Sequence, residues 1–250
     1  MEGLPVRSNW LISFCLVLLL LISDGAIASG KGVAVSGTVP AAVTNSASLV
    51  GIDAPVLKLN VGFDQNQSRM YQLSYAEPDY GTGAGLLNFV HQNSLWQIKY
   101  AVASNLVPYV DLGMDVRFLK LTETGDKYIS TDFGVQLGDF WLLRLGFVVE
   151  NLWHLRLGET ETPLPMNVIA GAAIDLGSMA TIYIDVDDVL AMNTGRKVAV
   201  NVETTLFDSV TLKAGWSNAW CLGIGYNYEQ WCLDYEWQQG QHQIGIGWRF

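Results

Sequence analysis

Apolar and polar positions alternate with a period of two along most of this chain, as the two faces of a β-strand require. The last segment shows it most clearly. Ile244, Ile246, Trp248 and Phe250 fall on one face, and Gln243, Gly245, Gly247 and Arg249 on the other. Just before it, Trp231, Leu233, Tyr235 and Trp237 oppose Asp234 and Glu236. Leu222, Ile224, Tyr226 and Tyr228 oppose Gly223, Gly225 and Asn227; Val210, Leu212, Ala214 and Trp216 oppose Thr211, Lys213 and Gly215. Val198, Val200, Val202 and Leu206 oppose Asn201 and Glu203. Further strands are predicted at 180–187, 166–176, 139–150, 128–137, 107–120, 94–103, 84–91, 69–76 and 56–63. The first of these are sharply marked and the N-terminal ones less so. The count is fourteen, with twelve as the alternative, and no helical period of useful length competes.

Two all-β architectures fit such a pattern. A sandwich buries an aliphatic face and shows a charged one to water. Here the oily face instead carries Trp216, Trp220, Tyr226, Tyr228, Trp231, Tyr235, Trp237 and Trp248, mostly near strand ends. Transmembrane barrels place aromatic girdles at those levels, where the membrane meets water. The opposite face is rich in Gly, Asn, Gln, Asp and Lys, as a lumen requires. The expectation is a transmembrane antiparallel up-and-down β-barrel over 55–250, with outer-membrane lipid as its surroundings. If the chain ends on the periplasmic side, the links at 137–139, 177–179, 207–209 and 229–230 are periplasmic and short. Those at 121–127, 151–165 and 187–196 are then extracellular and longer; the stretch 77–83 breaks the rule.

The start of the chain follows another logic. Arg7 precedes the apolar run Leu11 to Ile22, and Ala26-Ile27-Ala28 follows it. The run is too short to span a bilayer as a helix. A positive start, a short apolar core and a small-x-small exit predict a Sec-type signal peptide cleaved after Ala28. Residues 29–54, rich in Ser, Ala, Gly and Val, are left as a tail or a small plug.

Composition narrows the chemistry. Only 15% of the residues are charged, against about 25% in an ordinary soluble domain. The net charge of −10 argues against nucleic acid, whose phosphates need a basic patch. Cys15 lies within the signal, so Cys221 and Cys232 remain, too few for a disulfide framework or a zinc site. With a two-residue turn at Glu229-Gln230, Cys232 faces Asn227. Cys221 then lies about 20 Å along the strand, beyond the reach of a disulfide. Two free thiols are expected.

Phe250, closing an alternating strand, resembles the sorting signal read by the outer-membrane barrel-assembly machinery. Several segments together resemble the FadL/PorV-like group of outer-membrane barrels. They are Val149-Glu150-Asn151-Leu152, Pro163-Leu164-Pro165, Ile184-Asp185-Val186, Leu212-Lys213-Ala214-Gly215-Trp216, Gly223-Ile224-Gly225-Tyr226 and Leu233-Asp234-Tyr235. The likeness covers about residues 128–250 and implies fourteen strands. The group includes transporters of hydrophobic compounds and partners of secretion systems.

The inward face is predicted to hold Asp111, Asp115, Arg117, Asp132, Arg144, Asp185, Asp187, Glu203, Lys213, Asp234, Glu236 and Arg249. Such charges either tune the passage of solutes or satisfy one another and stiffen the wall. The mixture of signs at similar depths favours mutual satisfaction, since buried charges need partners. Asp185, Asp187 and Asp188 lack the Gly and distal Glu of a calcium loop and read as a solvated strand end. His91, His154 and His242 have no matched nucleophile; His154 is expected in a loop. No enzyme and no cofactor is predicted. The expected function is a channel or transporter for small or hydrophobic molecules. The alternative is a scaffolding barrel of an envelope or secretion assembly with no open pore.

Overall fold

The computed structural model describes residues 32–63, 69–140, 142–158, 164–177, 179–192 and 195–250. The expected signal segment, 1–28, lies outside them. The strands are β1 (Val56–Phe63), β2 (Arg69–Glu77), β3 (Ala84–Gln92), β4 (Leu95–Val107), β5 (Val110–Leu121), β6 (Lys127–Phe140) and β7 (Leu143–Arg156). They continue as β8 (Asn167–Asp175), β9 (Thr181–Asp187), β10 (Lys197–Leu206), β11 (Val210–Trp216), β12 (Trp220–Tyr228), β13 (Trp231–Gln238) and β14 (Gln241–Arg249). Each pairs antiparallel with its neighbours in sequence, and β1 pairs with β14 to close a fourteen-stranded barrel. Closure leaves no sheet edge, which is what lets strands stand in lipid. The backbone N–H of Phe250 donates to Pro55 O at 3.1 Å, continuing the β1–β14 ladder by one more bond.

The faces are as the alternation predicts. Leu59, Leu73, Ile98, Val116, Leu222, Ile224, Leu233 and Ile244 are all exposed on the outside. Lys58, Asn60, Ser74, Asn88, Lys99, Asp115, Asp132, Asp185 and Asn201 are buried within. All eight predicted girdle aromatics point outward. Trp231 stacks on Trp248 (5.4 Å between centroids), and Trp248 packs on Phe250 (4.8 Å). Tyr226 stacks on Tyr228 at the same end of the barrel, and Trp216 meets Trp220 edge-on at the other. Tyr235, nearer mid-strand, reaches His242 Nδ1 at 2.8 Å.

Several boundaries differ from the pattern. The β6–β7 link falls at 141–142 rather than 137–139, because a register irregularity after Leu137 lets the ladder resume at Phe140 and Leu143. β7 runs on to Arg156, so the long link is 157–166 and His154 sits on a strand opposite Ser130, not in a loop. The cause is a bulge: register shifts between Thr131 and Phe133, and Asn151 takes φ 56. Asn tolerates that left-handed conformation better than most residues.

Candidate functional site

Residues 32–53 lie against the inner wall. Thr38 caps a short helix, α1 (Val39–Thr44), its Oγ1 accepting from Ala41 N at 3.3 Å. Pro40 occupies the first turn, where no N–H is needed. Asn45 ends this helix and caps the 3-10 turn Ser46–Gly51, accepting from Ala47 N at 3.1 Å. Val33, Ala34, Ala42, Ala47 and Leu49 are fully buried. One apolar cluster joins Val39, Ala42, Leu49 and Ile52 to Ala76, Ala84, Leu86, Ala101 and Ala103 of β2–β4.

Small residues make room for this segment. Gly113 of β5 faces Gly134 of β6, and Gly146 of β7 faces Gly171 of β8. A Cβ on Gly113 would run into the backbone of Ser46 and Ala47, and one on Gly146 into the backbone of Val33. Glycine at these positions lets two backbones approach.

Polar anchors fix the segment. Asp185 accepts the Gly32 N–H at 2.7 Å and the Val33 N–H at 3.1 Å. Ser46 Oγ donates to Asp115 at 2.7 Å, and Lys99 Nζ donates to Val43 O at 2.8 Å. Gln136 Nε2 donates to Ala34 O at 2.9 Å, and Asn45 Nδ2 to Val33 O at 2.7 Å. Beneath them runs a charge network. Lys99 pairs with Asp115 at 2.8 Å, and Arg117 bonds Asp132 at 2.6 Å and Asn151 at 2.9 Å. Arg117 Nε lies 3.9 Å from Asp115, a Coulomb contact rather than a hydrogen bond. The bulge completes the network, since Asn151 N–H donates to Asp132 at 2.8 Å and Ser130 Oγ donates to Asn151 at 2.8 Å.

The other side of the lumen is less filled. A cavity of about 410 Å³ lies between the segment and the walls of β9–β14 and β1. Val35, Val39, Pro40, Ala41 and Ile52 give it an apolar side. Lys58, Glu203, Lys213, Asp234, Glu236 and Arg249 give it a charged one. Lys58 pairs with Asp234 at 2.6 Å; Lys213 lies 3.3 Å from Glu236 and 3.6 Å from Glu203. A smaller cavity, toward the end away from Phe250, shares Cys221, Glu236, Gln238 and Gln243 with it.

Every predicted inward charge is on the inward face, and nine of the twelve fall in two groups. Asp115, Arg117, Asp132 and Asp185 underlie the packed half, while Glu203, Lys213, Asp234, Glu236 and Arg249 line the open half. Arg144 pairs with Asp175 at 2.6 Å, and Asp111 accepts from Asn105 at 2.7 Å, both near the Phe250 end. Asp187 and Asp188 do not form a solvated strand end. Asp187 accepts from Asn167 at 2.7 Å, and Asp188, buried, accepts from Met192 N and Gly195 N at 2.9 Å each, folding the loop over itself. Sequence reasoning missed Lys58 and Lys99, whose strand parity was available, and Ser46 and Asn151, which no strand parity announced. Cys221 and Cys232 are free; Cys232 faces Asn227 as expected, and both line the open cavity.

No family model matches the chain, and no curated protein matches it. Solved structures share the fold. The Pseudomonas putida toluene transporter TodX aligns over 92% of this chain and 99% of its own, with TM-score 0.65 and 10% identity. The CymD monoaromatic hydrocarbon channel aligns over 92% and 98%, with TM-score 0.62 and 11% identity. A Pseudomonas aeruginosa FadL homologue aligns over 88% and 96%, with TM-score 0.63 and 8% identity. The likeness is to the barrel architecture of these proteins.

Proposed function

We propose that this chain is an outer-membrane channel whose lumen is divided lengthwise, one half plugged by residues 32–53 and the other a passage for small molecules. The observation that carries the reading is the 410 Å³ cavity running beside a tightly anchored segment. The outward apolar belt and its aromatic ends suit a bilayer, and the shared fold with hydrocarbon channels and transporters agrees with a conducting role. The ion pairs of the open wall already satisfy one another, so a solute can pass without leaving a buried charge alone. An apolar segment facing a charged wall suits a small amphipathic solute better than a hydrocarbon, which would leave the wall's polar groups facing an oily neighbour.

In this reading the chain is exported with loss of residues 1–28, Phe250 is presented to the barrel-assembly machinery, and its end of the barrel faces the periplasm. The native thiols test the passage directly. Cys232 lies nearer the Phe250 end and Cys221 nearer the other, both on the cavity wall. A charged, membrane-impermeant thiol reagent should label both in the folded protein reconstituted in vesicles, and steady conductance should appear in a planar bilayer. Labelling only after denaturation, with no conductance, would favour a scaffolding barrel serving an envelope or secretion assembly. The packed half of the lumen is the observation that keeps that second reading in view.

A further inference from the structure

The outward face of the barrel is nearly free of charge, and its exceptions are arranged. Among the described residues the strands turn three basic side chains outward, Arg69, Lys120 and Lys127, and one acidic, Glu77. The three cations lie at the end away from Phe250; Glu77 lies at the Phe250 end. Tyr71, His91, Trp96, Lys120 and Lys127 are successive cross-strand partners from β2 to β6, forming one outward row. His91 packs between Tyr71 (6.3 Å) and Trp96 (4.4 Å), and Phe89 meets Trp96 edge-on.

The row closes on an unfavourable pair. Lys120 and Lys127 stand directly opposite, with Cα atoms about 5 Å apart in such a pair. Like charges so placed destabilise a sheet. Both are exposed, and among the described residues neither is in an ion pair. The turn between them offers Glu123, exposed, and Asp126, which is buried and already bound to Arg156 at 3.2 Å. In a chain of net charge −10, two exposed lysines opposed on the outward face beside a tryptophan concentrate positive charge where an anionic group could relieve their repulsion.

We propose that Lys120 and Lys127 clamp the phosphate of an anionic lipid headgroup, with Trp96 and His91 forming the apolar and aromatic bed for the adjoining part of the lipid. Paired ammonium groups suit a phosphate as point charges, and tryptophan suits the headgroup level. The site rests on the reading of the chain as a membrane barrel, and it lies in the leaflet at the end away from Phe250.

The test is native mass spectrometry of the folded protein in detergent. It would be titrated with phosphatidic acid, with phosphatidylcholine of the same acyl chains, and with inorganic phosphate. Wild type should retain phosphatidic acid at least about tenfold better than phosphatidylcholine, in line with the attraction of paired lysines for anionic lipid. Lys120→Gln/Lys127→Gln should lose that preference, Lys120→Arg/Lys127→Arg should keep most of it, and Arg196→Gln, in the 188–196 loop, should leave it unchanged. Heat-modifiable migration on gels reports barrel folding for each variant, and the single Lys127→Gln stands in if the double variant does not fold. A chain that fails to fold into detergent or membranes sinks the barrel reading. A folded wild type without preference for phosphatidic acid, an unaffected double Gln variant, or displacement of the lipid by millimolar inorganic phosphate would overturn the lipid site alone.

Discussion

Asp185 on β9 accepts the backbone N–H groups of both Gly32 and Val33, at 2.7 and 3.1 Å, while itself only 3% exposed. One carboxylate thus ties the start of the inner segment to the wall. Each charge-assisted bond of this kind contributes about 1.5–3 kcal/mol. Asp185→Asn keeps the size but offers one acceptor where two N–H groups compete. Hydrogen exchange over residues 32–45 should rise by one to two orders of magnitude while the strand amides stay protected. Unchanged protection there would show that the apolar cluster alone holds the segment.

The glycine lining makes a steric prediction. At Gly146 any side chain collides with the backbone at Val33, and backbone cannot swing aside as a flexible side chain can. Gly146→Val should displace the segment or cost about 1–3 kcal/mol of overpacking. Gly225 is the control. It faces the open cavity, with Thr211 Cβ 3.4 Å from the added carbon, so Gly225→Ala should be mild. Thermal melting in detergent, read beside bilayer conductance, separates the outcomes: a displaced segment raises conductance, whereas a strained barrel lowers the melting point.

Much of this architecture is legible in the sequence because one rule generates it. Strands β10–β14 alternate cleanly, so the parity of Ile246 or Asp234 states its face without any knowledge of neighbours. The inner segment obeys no such rule. Its fit depends on contacts such as Ser46 with Asp115 and Ala47 over Gly113, made across long stretches of chain, and residues 29–54 carry no period that announces them. A signal did exist on the other partner: Gly113, Gly134, Gly146 and Gly171 all occupy inward positions on successive strands. Asn151 escaped for a different reason. A bulge adds a residue and inverts parity, so the pattern past Glu150 dissolved into an apparent loop, and His154 went with it.

Inside and outside can be tested by arginine at neighbouring positions. Leu212 (38% exposed) and Ile246 (41%) face outward, and Thr211 (8%) faces the cavity. Leu212→Arg and Ile246→Arg should each cost about 2–4 kcal/mol if they stand near mid-membrane. Thr211→Arg, on the cavity wall that also carries Glu236, should cost less and should alter conductance instead. Equal losses of folded barrel in all three variants would contradict the assigned faces.

The β2–β3 link has its own acid dependence. Asp79 accepts the backbone N–H groups of Gly81 at 2.6 Å and Gly83 at 2.9 Å, and these bonds hold its carboxyl below the ordinary value of 3.8. A depressed pKa means that its contribution is present above the unfolded value and is lost as pH falls through the folded one. The turn should keep its conformation down to about pH 4 and loosen only below that. Proteolysis by an acid protease should begin there, and Asp79→Asn should bring cleavage on at all acidic pH values. A turn already loose at pH 5 in the wild type would contradict this role for Asp79.

The cysteines give the last test, because their separation depends on register alone. Cys232 pairs with Asn227 and Cys221 with Gln238, so the two thiols share the inward face of adjacent strands while standing six residues apart along them. At about 3.3 Å per residue that is near 20 Å, and a disulfide needs Cα atoms within about 7 Å. Side-chain rotation cannot close a gap that runs along the strand. Gly247, directly across from Cys232 on β14, leaves room for its sulfur, since a Cβ there would collide with Sγ. Thiol counting on the denatured monomer without residues 1–28, and so without Cys15, should therefore find two, with or without prior reduction, even in an oxidising compartment. Gly247→Ala should crowd Cys232 and slow its modification in the folded state, leaving Cys221 unaffected. A gain of two thiols on reducing the monomer would mean that the last hairpins pair in a different register.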